Sequence, residues 1–198
     1  MCGGPPSATR VADASSVLVL RPQSDTVDDA ELKRTLVDDP TSASLVGVSL
    51  SEPPSAWYDE WCSTLGCDPD AAAVITTPEL TGEAGENDVI VETVAAPSNL
   101  TRSGVKATTF LSRWDGPTVV VERLSVLFQC ADARDIYEFL HVVTTQLRAS
   151  SGDAQVDLDP TLEDDRTVER LEGLFDAVVE YDAGRGDGSK WTVRRRRS

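Results

Sequence analysis

Pro117-Thr-Val-Val-Val-Glu-Arg-Leu-Ser-Val-Leu-Phe128 decides the fold of this chain. Asp115-Gly-Pro117 turns the chain into a short strand, Thr118–Val121, that ends on the carboxylate of Glu122. Arg-Leu-Ser then leads into a second apolar run. Three valines in succession leave the strand no face for water. A strand apolar on both faces belongs in a parallel sheet covered by helices on either side, because such a sheet has no wet face.

Reading outward from this stretch, the same rhythm extends in both directions. Val17-Leu-Val-Leu20, Leu45-Val-Gly-Val-Ser-Leu50, Ala73-Val-Ile-Thr76 and Val89-Ile-Val-Glu-Thr-Val94 are short apolar strands on its N-terminal side. Ala154–Leu158 and Asp176-Ala-Val-Val-Glu-Tyr181 follow on the other side. Helices are expected over residues 28–38, from Pro53-Pro-Ser55 through Trp61, from Ser98-Asn-Leu to Trp114, over 132–149, and over 165–174. The helix over 132–149 carries Ile136, Phe139, Leu140, Val143 and Leu147 on one face. Gly184-Arg-Gly-Asp-Gly188 reads as a hairpin turn into Trp191-Thr-Val193. The expected architecture is a three-layer, mostly parallel α/β sheet with an antiparallel edge hairpin at its C-terminal end. One domain spans 15–193, between a disordered tail (1–14) and a basic tail (194–198). A chain of 198 residues is long enough to bury a full core.

Composition bounds the setting. Thirty-four acids against 18 bases give a formal net charge of −16, with only three lysines, Lys33, Lys106 and Lys190. Short carboxylates bind water and cations strongly, whereas lysine stems expose apolar surface. An acidic, lysine-poor surface therefore suits a halophilic cytosol, where salt screens the self-repulsion. The start Met-Cys-Gly-Gly-Pro-Pro has no basic n-region, and no window approaches the ~18 apolar residues of a membrane span. A cytoplasmic protein with no membrane partner is expected, its cysteines reduced.

In order and spacing the elements resemble the RecA/KaiC-like ATPase core, specifically the degenerate RecA-like proteins found in haloarchaea, over residues 15–182. Ser16-Val-Leu-Val-Leu20 sits where that family has its first strand, leading into the phosphate loop. Leu45-Val-Gly-Val-Ser-Leu-Ser-Glu52 is similar to the strand that ends in acids near the attacking water. Thr118-Val-Val-Val-Glu-Arg-Leu-Ser125 looks like the Walker B strand, whose acid holds Mg²⁺ beside the phosphates. Leu174-Phe-Asp-Ala-Val-Val-Glu180 is similar to a late strand of the same family. The resemblance implies a RecA-like sheet. If ATP hydrolysis survived, Glu122 would hold Mg²⁺ and Glu52 would activate water.

The chemistry departs from the family. After Leu20 the chain reads Arg21-Pro-Gln-Ser-Asp-Thr-Val-Asp-Asp29, with no glycine to wrap a phosphate and no Gly-Lys-Ser/Thr. Asp25, Asp28 and Asp29 would point negative charge at a triphosphate. No cofactor, no bound nucleotide and no catalysis are therefore expected, and Glu122 is read as structural or vestigial, with Arg123 available to neutralise it.

Other residues are weighed against ordinary packing. His141 is the sole histidine and lies beside an apolar helix face, so it is read as a packed helix residue. Cys62 and Cys67 lack two further ligands for zinc, leaving packing as the stronger reading. Asp157 and Asp159 fall at a strand end, where solvated acids are the simpler reading than a cation site. Trp57 and Trp61 lie one helical turn apart; they are core packing or, if partly exposed, anchors for a protein partner. Arg194, Arg195, Arg196 and Arg197 form a basic run that could meet an acidic partner or nucleic acid. High salt weakens such binding, so nucleic acid is not expected. The function expected is a non-catalytic regulatory or signalling protein that works by protein–protein interaction or homo-oligomerisation. Two alternatives stand beside it: a divergent nucleotide-binding ATPase, and a transcription-linked module using the basic tail.

Overall fold

A computed structural model describes residues 14–22, 29–81, 89–181 and 191–195. Expectations for the N-terminal tail, Asp25, Asp28, most of the 81–88 loop, the 184–188 turn, Arg196 and Arg197 fall outside these residues. Among those described, eight strands form one sheet: β1 (Ser16–Leu20), β2 (Ser44–Val48), β3 (Ala71–Thr76), β4 (Val89–Thr93), β5 (Thr118–Val121), β6 (Asp153–Leu158), β7 (Ala177–Tyr181) and β8 (Trp191–Arg195). Their spatial order is β4-β3-β2-β5-β6-β1-β7-β8. Every pairing is parallel except β7 with β8, the antiparallel edge expected at the C-terminal end.

Among the described residues six helices cover the sheet: α1 (Ala30–Thr35), α2 (Pro54–Leu65), α3 (Leu100–Arg113), α4 (Leu124–Phe128), α5 (Ala133–Leu147) and α6 (Asp165–Glu172). Their distribution follows from strand order. From β1 to β4 the chain progresses toward one edge of the sheet, and from β4 to β7 it returns toward the other. Crossovers between parallel strands are right-handed, so reversing direction moves the helices to the opposite face. Accordingly Leu32 of α1 and Trp57 of α2 pack on one face, while α3, α4, α5 and α6 pack on the other.

This division explains why the strands read as unbroken apolar runs. Leu18 and Leu20 join the large cluster under α3 and α5, whereas the alternate residues Val17 and Val19 meet Leu32 and Leu36 on the α1 side. Helix ends follow local rules. Pro54 opens α2 and Gly66, at φ +81°, closes it. Asn99 caps α3 by accepting from the Arg102 amide.

Two boundaries differ from the sequence reading. The second apolar run, Leu124–Phe128, is a short helix, α4, separated from Glu122 by Arg123 alone. β8 runs through Arg195, so the first two arginines of the basic run belong to the sheet edge. No described helix is long and apolar enough to cross a membrane.

Candidate functional site

The site lies at the C-terminal ends of β1, β5 and β6, the edge where open α/β sheets place their ligands. The side chains arrive on several elements. Arg21 follows β1 directly and donates its backbone N–H to Leu158 O of the adjacent β6 at 3.0 Å. Asp29 and Lys33 sit one turn apart at the start and middle of α1. Glu52 stands in the turn after β2, where Ser49 Oγ donates to the Glu52 carbonyl at 3.3 Å. Glu60 comes from α2, Glu122 from the end of β5, and Asp157 from within β6. Arg123, at φ 52°, is the only non-glycine residue with positive φ among those described, and it turns the chain from β5 into α4 beside Glu122.

Lys33 is the centre of this constellation. Its ammonium donates to Glu60 Oε1 at 2.6 Å and to Glu122 Oε1 at 3.0 Å, and lies 3.8 Å from Asp29 Oδ2. It also sits 5.6 Å from the Trp61 ring centroid, in cation–π range. Burial by itself would pull the Lys33 ammonium down; Glu122, Asp29 and Glu60 together more than offset it and hold the group above its ordinary value. Next to it, Arg21 Nη2 bridges Asp29 at 3.0 Å and Asp157 at 2.5 Å.

The carboxylates are unequal. Glu52 is pushed up to about 7, first by burial, then by the Glu122 charge, the hydrogen bond it shares with Glu122, and Glu60. Burial likewise pushes Asp157 up to about 6, with Arg21 and Lys33 only partly countering it. Glu52, Glu60 and Glu122 bring carboxylate oxygens within 4.8 Å of one another, a spacing that suits a hard cation. The Lys33 ammonium contacts two of the three, Glu60 and Glu122. Against Arg21, Lys33, Glu122, Gln155 and Asp157 lies a cavity of about 20 Å³. That volume is enough for one water molecule. The Gln155 Nε2 donor is buried there without an acceptor among the described residues.

Sequence reasoning brought Glu52 and Glu122 to the same place, and they touch. It assigned the neutralising role to Arg123, whereas Lys33 fills it. Lys33, Arg21 and Glu60 were missed. The available signal was Lys33 itself, one of three lysines in the chain, set on the helix that follows β1 and four residues after Asp29. Asp157 joins the site; Asp159 instead caps a 3₁₀ turn by accepting from Thr161.

Two surface expectations are corrected. Trp57 and Trp61 are 1% and 0% exposed, so neither forms a surface anchor; they pack at 6.0 Å beneath β2 and β3. The physical reason is that α2 lays its apolar face directly on the sheet. His141 is exposed and stacks on Tyr137 rather than packing inside. Arg194 is tied to Glu172 at 2.8 Å and Glu180 at 3.4 Å. Cys62, Cys67 and Cys130 are free thiols.

A family model described as "Family of unknown function (DUF7504)" matches residues 14–181. No curated protein matches the sequence. Three solved structures are similar in fold. An uncharacterised protein of Pyrococcus horikoshii, PH0321, in complex with an unknown peptide, is 11% identical, with 92% of each chain covered and a TM-score of 0.57. The flagellar accessory protein FlaH of Methanocaldococcus jannaschii is 9% identical, covering 94% of this chain and 82% of its own, with a TM-score of 0.58. PH0250 of Pyrococcus horikoshii OT3 is 10% identical, covering 90% and 91%, with a TM-score of 0.54. At these identities the likeness establishes the fold, which is RecA/KaiC-like.

Proposed function

We propose that this chain, which belongs to the DUF7504 family of unknown function, is a non-catalytic RecA/KaiC-like domain that acts through protein–protein contacts in regulation or signalling. The observation that carries the reading is the Lys33 ammonium seated against Glu122 and Glu60. In RecA-like ATPases the acid ending this strand serves a metal beside the phosphates. Here the protein supplies its own cation to that acid, and its own anion, Asp29, to Arg21 at the start of α1. Both charges that a Mg²⁺–phosphate pair would bring are already met by side chains. The segment after β1 has no Gly-Lys-Ser/Thr to cradle a phosphate. This is the sense in which the domain is degenerate. The acidic, lysine-poor composition fits work in concentrated salt, and the natural site of action is the cytoplasm.

A protein segment is the ligand class proposed. The fold neighbour PH0321 was solved with a peptide bound, which supports a fold of this kind serving as a peptide receptor.

The test is calorimetric titration of the full chain with Mg²⁺ and ATP, beside the Glu122→Gln variant. The expected result is no saturable heat for either protein. Tight, Mg²⁺-dependent binding that Glu122→Gln abolishes would overturn the reading.

One observation favours a second reading, a divergent nucleotide-binding ATPase. Lys33 stands on the helix after the first strand, close to Glu122, and Glu52 beside them holds its proton up to about pH 7, as a water-activating base would. The same titration separates the two.

A further inference from the structure

Among the described residues the large apolar side chains left exposed are few, and two of them face one groove. Val105 of α3 is 56% exposed and Val142 of α5 is 50% exposed. They flank a groove of about 240 Å³ between the two helices, floored by Leu100, Gly104 and Phe139. The groove lies on the sheet face opposite α1 and Lys33.

Gly104 widens it. A Cβ there would stand 3.4 Å from Phe139, an ordinary contact, so the packing of α3 against α5 does not require a glycine. A mid-helix glycine weakens the helix relative to alanine, and its effect here is to leave the floor open. On α5, Asp135 and Glu138 border the groove one turn and more before Val142. Among the described residues Glu138 pairs with Arg134 in an exposed i,i+4 contact, a weak partner that another cation can displace.

We propose that the α3–α5 groove docks an amphipathic, basic segment of a partner protein. Its apolar side chains enter between Val105 and Val142, and its Lys or Arg side chains meet Asp135 and Glu138. This deepens the protein-interaction reading and rests on it. Charge decides the occupant. A second copy of a chain of net charge −16 offers a mostly acidic surface, and Arg194 of its one basic run is already tied to Glu172 and Glu180, whereas a basic segment of a partner is complementary to the rim. The geometry is that of a helix laid in a groove and read at helical spacing.

The probe is a fluorescein-labelled synthetic helix with leucines on one face and lysines on the other. Controls are a scrambled peptide of the same composition and a version with glutamates for lysines. Binding to the full chain is followed by anisotropy in high salt, where diffuse attraction is screened. The amphipathic basic peptide should bind saturably and more tightly than either control. Val142→Asp and Gly104→Leu should each weaken it about tenfold or more, as loss of a buried anchor contact does. Asp135→Lys with Glu138→Lys should weaken it further and favour the glutamate version. Circular dichroism checks that each variant is folded; Val142→Asp alters an exposed position. Binding that these substitutions leave unchanged, or no preference over the scrambled peptide, overturns the proposal. So does a dimer of the free chain that Val142→Asp dissolves, since a second copy would then fill the groove. Failure here without nucleotide binding sinks the groove alone. Nucleotide binding that Glu122→Gln abolishes, with peptide binding intact, sinks the reading of the site alone.

Discussion

Lys33 and Glu122 are 89 residues apart in the chain and 3.0 Å apart in space, joined as a buried ion pair at the edge of the sheet. Their side chains are 10% and 7% exposed. Removing one partner of such a pair leaves an uncompensated buried charge, which costs about 3–5 kcal/mol. Lys33→Met is expected to lower stability by about that amount in denaturant titrations at neutral pH. Glu122→Gln in the same chain should recover much of the loss, because Glu122 is then no longer a stranded anion. A double-mutant cycle showing simple additivity would mean that the two groups do not act as a pair.

The acids around that pair set a pH dependence. Glu52 is raised to about 7, Asp157 to about 6, and Asp153 to about 6 through burial and Asp38. A carboxyl with a raised folded pKa binds its proton more tightly in the native state than in the unfolded chain. Stability is then higher where that proton is held, and it falls as pH rises from the ordinary carboxylate value through the folded one. The unfolding free energy should decline between about pH 4.5 and pH 7. Glu52→Gln should flatten the upper part of that decline, measured by denaturant titration at several pH values. A rise in stability across the same interval would contradict the arrangement.

The fold was legible in the sequence because burial on both faces leaves a mark in every strand. Runs such as Val17–Leu20 and Val119–Val121 admit few other settings, and each became a parallel strand. Glu122 was legible for the same reason, since an acid that ends a buried strand stands out; Glu52, in the turn four residues past β2, was reached only through the family resemblance. Lys33 was not, because its helix is six residues long and its partners come from α1, α2 and β5. No local pattern signals a charge whose compensation is assembled from three elements. Trp57 and Trp61 were legible only as far as two alternatives, core packing or a partner surface. Their spacing identifies a shared face, but whether that face meets the sheet or a partner depends on tertiary packing.

That packing makes a further prediction at α2. Trp57 and Trp61 are almost fully enclosed, and each indole N–H lies buried without an acceptor among the described residues. Trp57→Ala should cost about 3–5 kcal/mol, as truncation of a buried aromatic does. Trp61→Ala should do so as well, and it also removes the ring near the Lys33 ammonium. Both losses should appear as lower midpoints in thermal or denaturant melts. A variant that melts like the parent protein would place its indole outside the core.

Two glycines should respond to alanine in opposite directions. At Gly47 of β2 a Cβ would fall 2.6 Å from the six-membered ring of Trp57, which lies directly on the strand backbone. Neither the ring nor the central strand has room to withdraw, so Gly47→Ala should destabilise by about 1–3 kcal/mol, the range for overpacking. At Gly104 the nearest atom is 3.4 Å away on Phe139, and the position lies inside a regular helix. Gly104→Ala should therefore stabilise by roughly 0.5–1 kcal/mol, because alanine has less backbone freedom to lose on folding. Paired melts of the two variants read both signs in one experiment. Destabilisation at Gly104 would mean that Phe139 cannot yield, and that the floor of the α3–α5 groove is already closely packed.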